Sequence, residues 1–343
     1  MKTRTFQFAE YGQPTAVLQL TGQDLPDPGP GQALVKIKTV GLNRSELNYT
    51  LGRYVPAREF PSGVGQEAVG EIVALGPPAE QGPAPHPATP LTVGARVALL
   101  PGRVDICGMG AYREVGLYDQ AALAPVPDHF SDEEGAAYWM AILTMGGCLE
   151  LAGLNPGNTK GKKVLVTAAT SSMGIVALQL AKAWGAETLA TSRSADKAKR
   201  LEAVADHVIV CNDSDSLSAG VNAATDNQGV DVSLDPLGAD YYAGLLAVTA
   251  NGGEIVSYEM ITGPVANVSL PTLMINDLSI HGFTIFRVYK NPALFDALIR
   301  QGMEYSDQVR PIVSATFPLE QAPTALAELG TSQHIGKLVL LVS

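Results

Sequence analysis

The stretch Val164-Leu165-Val166-Thr167-Ala168-Ala169-Thr170-Ser171-Ser172-Met173-Gly174 decides how the chain is read. Its first half belongs to a β-branched, apolar run, Lys163 to Ala168, of the kind that forms a strand buried on both faces. Its second half is built from small residues. Ile175, Leu178, Leu180 and Ala181 then recur at helical spacing as far as Trp184. A strand, a small-residue turn and a helix in that order let the backbone approach a pyrophosphate, which the free N–H groups and positive end of the helix can hold. Thr170, Ser171, Ser172, Met173 and Gly174 are therefore candidate cofactor-binding residues. The glycine fingerprint of dinucleotide-binding turns is incomplete, since only its last glycine is present, and a plain strand-to-helix turn accounts for the loop taken alone.

The next strand sharpens the reading. A fold that prefers NAD places an acid about 20 residues after the loop, where it holds the ribose 2′-hydroxyl. Here the region reads Thr191-Ser192-Arg193-Ser194. An acid would repel a 2′-phosphate, whereas Arg193 can pair with it and Ser192 and Lys197 can add donors. The expected cofactor is NADPH rather than NADH. The competing account makes Arg193 and Lys197 the solvated start of a helix.

Working outward, Thr188–Thr191, His207–Val210, Val230–Leu234 and Glu254–Ser257 read as strands, with a helix at Ala195–Ala203. Strands alternating with helices imply a doubly wound parallel sheet, an α/β Rossmann arrangement. Leu278–Phe286 alternates and would end that sheet as an edge strand, a place where a second copy could pair, so a homodimer is expected. A helix is expected from about Pro292 to Gln301 and a closing strand at Lys337–Val342. Before the sheet, Ser131 and Glu134 form a capping-box signature. Earlier still the chain is β-rich, with strands at Ala33–Val40, Val69–Leu75 and Ala95–Leu100, and a proline-rich surface loop at Gly76–Pro90.

Composition narrows the function classes. The chain has 343 residues, 46% of them hydrophobic and 17% charged, which suits a globular protein of two domains. A formal net charge of −11 argues against nucleic-acid partners and anionic membrane surfaces. The three cysteines form no CxxC pair and suit a reducing compartment, no apolar run is long enough to span a bilayer, and Met1–Gln19 lacks the apolar core of a signal peptide, so a cytoplasmic location is expected.

Several stretches, in order along nearly the whole chain, carry a family resemblance. They are Gly41-Leu42-Asn43-Arg44-Ser45-Glu46 leading to Gly52-Arg53-Tyr54, Gly63-Val64-Gly65-Gln66-Glu67-Ala68-Val69-Gly70, Val93-Gly94-Ala95-Arg96-Val97, Gly110-Ala111-Tyr112, the loop before Gly174, Asp235-Pro236-Leu237-Gly238 and Gly336-Lys337-Leu338-Val339. The chain resembles the zinc-independent medium-chain dehydrogenases/reductases: quinone oxidoreductases, zeta-crystallins and enoyl reductases. The resemblance implies a β-rich, GroES-like catalytic domain (residues 1–127 and 288–343) around a Rossmann domain (residues 128–287). It also implies hydride transfer to a small-molecule acceptor, a quinone or an α,β-unsaturated carbonyl. An alcohol or aldehyde dehydrogenase of the same superfamily, or an NADPH-binding protein with little turnover, are the alternatives.

Zinc-containing relatives carry a cysteine where Asn43 stands and a histidine where Gln66 stands, as the resemblance implies. Amide side chains are poor zinc ligands, and the region Leu99–Val115 has only Cys107 where a structural zinc needs four cysteines, so no metal is expected. By the same resemblance Tyr54 is the candidate proton donor, or else an aromatic packing residue. Asn43 holds the nicotinamide ribose or a substrate carbonyl, or else shapes a turn. Thr144 lies near the nicotinamide, although the usual Thr-Ala-Tyr reads Thr144-Met145-Gly146 here. Tyr258, Phe283 and Ile285 line the cofactor cleft, with core packing an equal account of the last two. Lys337 reaches the cofactor phosphates or is a solvated lysine. Tyr54, Phe60, Met145 and Tyr258 are expected around the pocket.

Overall fold

The computed structural model describes residues 1–79, 91–331 and 333–343. Residues 80–90, most of the proline-rich loop expected at Gly76–Pro90, lie outside the described residues. The chain forms two compact units, one of Met1–Met140 with Pro311–Ser343 and the other of Ala141–Arg310.

The first unit is built on a sheet in the order Val313–Pro318, Lys337–Leu341, Gln32–Gly41, Ala68–Leu75, Arg96–Leu99, Leu123–Pro125, with Val115–Asp119 also paired to Gln32–Gly41. The long strand Gln32–Gly41 pairs with three others, and successive side chains point to opposite faces of the sheet. Its inward residues Ala33, Val35 and Ile37 are fully buried. A smaller antiparallel sheet joins Gln19–Asp24, Lys2–Phe8 and Ser62–Gly63. The terminal strand Lys337–Leu341 runs antiparallel to Gln32–Gly41, with Val339 opposite Gly41. That register brings the chain's last residues beside the turn that starts the helix Arg44–Thr50.

The second unit is a six-stranded parallel sheet in the order His207–Val210, Glu187–Ser192, Lys163–Val166, Val230–Asp235, Thr249–Ser257, Ser279–Gly282. Lys163–Val166 sits in the middle, flanked on one side by the strand that follows it and on the other by Val230–Asp235. The strand order reverses there, the point where doubly wound sheets open a crevice at their carboxyl ends. Helices Ser172–Ala183, Ser214–Ala224 and Tyr242–Val248 belong to the same unit. Residues Val164, Leu165 and Val166 are fully buried, as their uninterrupted apolar run implies.

Three expectations change. Leu278–Phe286 is strand only over Ser279–Gly282; Phe286–Tyr289 turns into a short helix whose Val288 points inward. The capping box at Ser131 starts a helix of only four residues, Asp132–Gly135, and a separate helix runs from Trp139 to Leu151. The units divide later in the chain than expected at 127 and 287, because the helices Trp139–Leu151 and Pro292–Glu304 pack on each other. A Cβ at Gly146 would meet Leu298 at 2.5 Å, so the two helices touch through a glycine.

Candidate functional site

In the second unit the loop after Lys163–Val166 is held from three sides. Ala168 takes a left-handed conformation, φ 47°, and its N–H donates to Thr191 Oγ1 at 3.3 Å. Ala169 N–H donates to the Thr191 carbonyl at 3.0 Å. Thr167 donates its hydroxyl to Asp235 Oδ1 at 2.5 Å. Asp235, wholly buried, also accepts from the N–H groups of Leu237 (3.3 Å) and Gly238 (2.8 Å), so one carboxylate pins the loop to the turn after the fourth strand. Burial raises its pKa above the usual value, against the opposing pull of those three donors.

Ser171 caps the helix Ser172–Ala183, its hydroxyl accepting from Gly174 N–H at 3.0 Å. The first-turn N–H groups of Ser172 and Met173 have no acceptor inside the helix and face its positive end. Gly174 is required by packing, since a Cβ there would lie 2.6 Å from the Cα of Ala169. That is the role of the last glycine in dinucleotide turns, close approach of helix and loop. Ala169 and Ser171 stand at the two earlier glycine positions of the fingerprint, and the turn still forms.

At the end of the second strand Ser192 is buried and its hydroxyl exchanges bonds with the backbone of Ser194. Ser194 caps the helix Ala195–Leu201 by accepting from Lys197 N–H. Arg193 is exposed. Burial, then the charge of Arg193, lowers the pKa of Lys197. Arg193 also acts on the Tyr241 phenol, a neighbour the sequence reading missed because it comes from a different strand-to-helix turn.

Thr144 is half-buried on the helix Trp139–Leu151, one turn before the fully buried Cys148. The departure at Thr144-Met145-Gly146 has a packing cause. A Cβ at Gly146 would meet Leu298 at 2.5 Å, so no larger side chain fits there as packed, and at the next position Gly147 lets Phe283 and Val288, after the sixth strand, press onto the helix. Phe283 and Ile285 are buried, and Phe283 packs on that helix. Met145, expected at the pocket, is fully buried instead. Tyr258 is half-buried; its hydroxyl is buried with no hydrogen-bond partner among the described residues, and burial pushes its pKa well up.

In the first unit Asn43, Glu46, Glu67, Tyr112 and Lys337 form one buried polar cluster. Asn43 precedes the helix Arg44–Thr50, and its N–H donates to Glu46 Oε2 at 2.9 Å. Glu46 is 0% exposed; Gln66 N–H (2.9 Å) and the Tyr112 hydroxyl (2.8 Å) also donate to it. Burial pushes its pKa up to about 7 against these donors. Lys337 is 1% exposed and donates to Asn43 Oδ1 at 2.6 Å and Glu67 Oε2 at 2.9 Å. The expectation for Lys337 is corrected on one point: it is not solvated. Its ammonium is enclosed by the first unit and spent on Glu67 and Asn43. The Asn43 amide is likewise occupied, its nitrogen donating to Gly41 O at 3.3 Å. Tyr54 is half-buried in the turn after the helix, and Phe60 is exposed, packed edge-on against Phe8 and Tyr11. Sequence reading missed the partners Glu67 and Tyr112, although both lie in stretches that carried the family resemblance.

Among the described residues no group of three or more His, Cys, Asp or Glu side chains is placed to hold a metal ion, and no helix is long and apolar enough to cross a membrane. Gln66 turns its amide to Ser45 Oγ, 3.3 Å away.

Comparison with known proteins agrees with this geometry. Residues 29–128 match the family described as alcohol dehydrogenase GroES-like domain, and residues 172–300 the family described as zinc-binding dehydrogenase. The chain is 29% identical to a quinone oxidoreductase of Pseudomonas aeruginosa over 98% of its own length and 99% of that protein's. It is 30% identical to a trans-enoyl reductase of Aspergillus terreus, covering 62% of this chain and 70% of the relative. A mycobacterial protein solved in complex with NADPH superposes with a TM-score of 0.83 at 26% identity, 99% of each chain being covered. The quinone oxidoreductase of Thermus thermophilus, also solved with NADPH, gives 0.78 at 26% identity over 98% and 99%. The chain belongs to the medium-chain dehydrogenase/reductase family and is of the quinone oxidoreductase type. It is an oxidoreductase.

Proposed function

We propose that the protein is a zinc-free, NADPH-dependent reductase that delivers hydride to a quinone or to a C=C bond conjugated with a carbonyl. The observation that carries the reading is the exposed Arg193 at the end of the second strand, with Ser192 before it and Lys197 on the helix that Ser194 caps. Two cations in one small region repel each other, and an anion between them relieves that repulsion. A ribose 2′-phosphate fits the demand, and an acid that would serve NADH is absent from Thr191–Ser194. The loop Ala168–Gly174, with its free first-turn N–H groups, suits the pyrophosphate.

Bound NADPH supplies the hydride. The protein's share is orientation and the proton. Thr144 lies on the nicotinamide side in this reading. Hydride adds to the β-carbon, the C=C pair shifts toward the carbonyl, and Tyr54 donates its phenolic proton to the α-carbon and is reprotonated from water. Asn43 and Gln66 stand where zinc ligands would be and offer amides in place of thiolate and imidazole, so carbonyl polarisation falls to hydrogen-bond donors.

A homodimer is part of the proposal. From Met260 to Asn276 there is no charged residue, in a chain of net charge −11. Val265, Leu270, Met274 and Ile275 are 75%, 63%, 77% and 79% exposed. This segment precedes Ser279–Gly282, the last strand of the parallel sheet, so an apolar surface and an unpaired strand edge adjoin.

The test is cofactor discrimination. Wild-type protein should bind NADPH at least about tenfold more tightly than NADH, a difference of about 1.4 kcal/mol. Arg193→Asp should abolish most of that preference by weakening NADPH and sparing NADH. Equal loss for both cofactors would contradict the assignment.

A further inference from the structure

We infer that Lys337 is a positioning residue: its buried ammonium holds Glu67 as a carboxylate, and Glu67 fixes the start of the helix that carries Thr144. The inference rests on the NADPH reading for its functional consequence. The geometry is a relay of three contacts. Lys337 Nζ donates to Glu67 Oε2 at 2.9 Å and to Asn43 Oδ1 at 2.6 Å. The other oxygen of Glu67, Oε1, accepts the N–H of Met140 at 2.8 Å. Met140 is the second residue of the helix Trp139–Leu151, whose first-turn N–H groups have no partner within the helix. Glu67 therefore acts as a charged cap supplied from the segment just before the strand Ala68–Leu75, and a carboxylate at that end also suits the helix dipole. Thr144 lies about one turn further along the same helix.

Lys337 and Glu67 are 1% and 0% exposed. A carboxylate in that setting depends on its cation, and removing the ammonium strands a buried charge. The titratable and charged groups that face Glu67 are Lys337 from the terminal strand and Glu46 from the helix Arg44–Thr50, with Tyr112 hydrogen-bonded to Glu46. Asn43 is its uncharged neighbour, the amide nitrogen 3.5 Å from Oε2. Without Lys337, Glu67 reaches neutrality by taking a proton on Oε2, the oxygen beside the Asn43 amide. Oε1 then still accepts from Met140. A glutamine at 67 reproduces that arrangement at every pH, with its amide N–H₂ toward Asn43 and its carbonyl toward Met140.

The experiment compares wild type, Lys337→Met and Lys337→Met/Glu67→Gln by fluorescence titration with NADPH at 10 °C and by thermal unfolding, each at pH 6 and pH 8. A buried carboxylate that has lost its cation is relieved by taking a proton, so acid favours the single variant. Lys337→Met should bind NADPH at least about tenfold more weakly than wild type at pH 8 and recover most of that loss at pH 6. The sign follows from linkage: a carboxyl whose folded pKa is raised contributes stability at low pH and loses it as pH rises through that value. The double variant should stay within about threefold of wild type at both pH values. Lys337→Met that melts earlier yet binds NADPH normally while folded would overturn the positioning role. So would a binding loss that neither acid nor Glu67→Gln relieves. Should Lys337→Met fail to fold, the double variant decides: binding near wild type supports the relay, and weak binding overturns it. A wild type that does not bind NADPH overturns the functional reading, which is a separate failure visible before any variant is made.

Discussion

Gly174 and Ala169 are packed so closely that a Cβ on the glycine would stand 2.6 Å from the alanine Cα. The contact fixes the helix Ser172–Ala183 against the loop that precedes it, and the loop's own Ala168 is already in a left-handed conformation. Gly174→Ala has no flexible neighbour to displace, because the opposing atoms are backbone. Overpacking of this kind costs about 1–3 kcal/mol. The expected result is a lowered melting temperature together with NADPH binding weakened by at least about tenfold, read by fluorescence titration. Unchanged affinity would mean that the loop does not carry the pyrophosphate.

Arg193 and Lys197 also make a salt-dependent prediction. Contacts between exposed cations and a phosphate are screened as ionic strength rises. NADPH affinity should fall by several-fold between about 50 and 500 mM salt, while NADH affinity should change little. Parallel slopes for the two cofactors would place the 2′-phosphate elsewhere.

The legibility of this fold follows from where its signals are local. The parallel sheet is legible because the apolar, β-branched Lys163–Val166 and the short Glu187–Ser192 are punctuated by small residues and caps such as Ser171 and Ser194. The helices Ser214–Ala224 and Tyr242–Val248 were missed, the first being rich in serine, alanine and asparagine with only Leu217 and Val221 buried. Leu278–Phe286 reads as one strand because its alternation continues past Gly282, yet Phe283 and Val288 pack against the helix at Gly147 and the pairing ends at Gly282. The cluster around Asn43 was the least legible. Lys337 lies 294 residues from Asn43, and no local pattern announces that a buried ammonium will close the gap.

Glu46 gives the protein a pH signature. Its carboxyl is raised from 4.5 to about 7 by burial, although Asn43, Tyr112 and Gln66 all favour the charged form. A raised folded pKa means that its contribution to stability is full below about 4.5 and is lost as pH climbs through about 7. Melting temperature should therefore decline between about pH 5 and 8 by an amount corresponding to roughly 1–3 kcal/mol. Tyr112→Phe removes a donor to the carboxylate, so the decline should move to higher pH. A profile that is flat over this range, and unmoved in Tyr112→Phe, would show that Glu46 stays ionised throughout.

The apolar segment before the last parallel strand predicts oligomeric state. Met274→Glu with Ile275→Glu puts two charges on side chains that are 77% and 79% exposed, so the folded subunit should tolerate them. Sedimentation should show a dimer for wild type and a monomer for the double variant. A wild-type monomer would remove the dimer from the proposal.

The central claim is tested most directly by the initial rate of NADPH oxidation by chelator-treated protein against an ortho-quinone, a short enone and a 2-enoyl thioester. The account predicts turnover with at least one of the three, undiminished by the chelator and reduced at least about tenfold in Tyr54→Phe when the acceptor is an enone or enoyl compound. Bound NADPH that none of the three oxidises, or activity that vanishes with the chelator and returns with zinc, would contradict it.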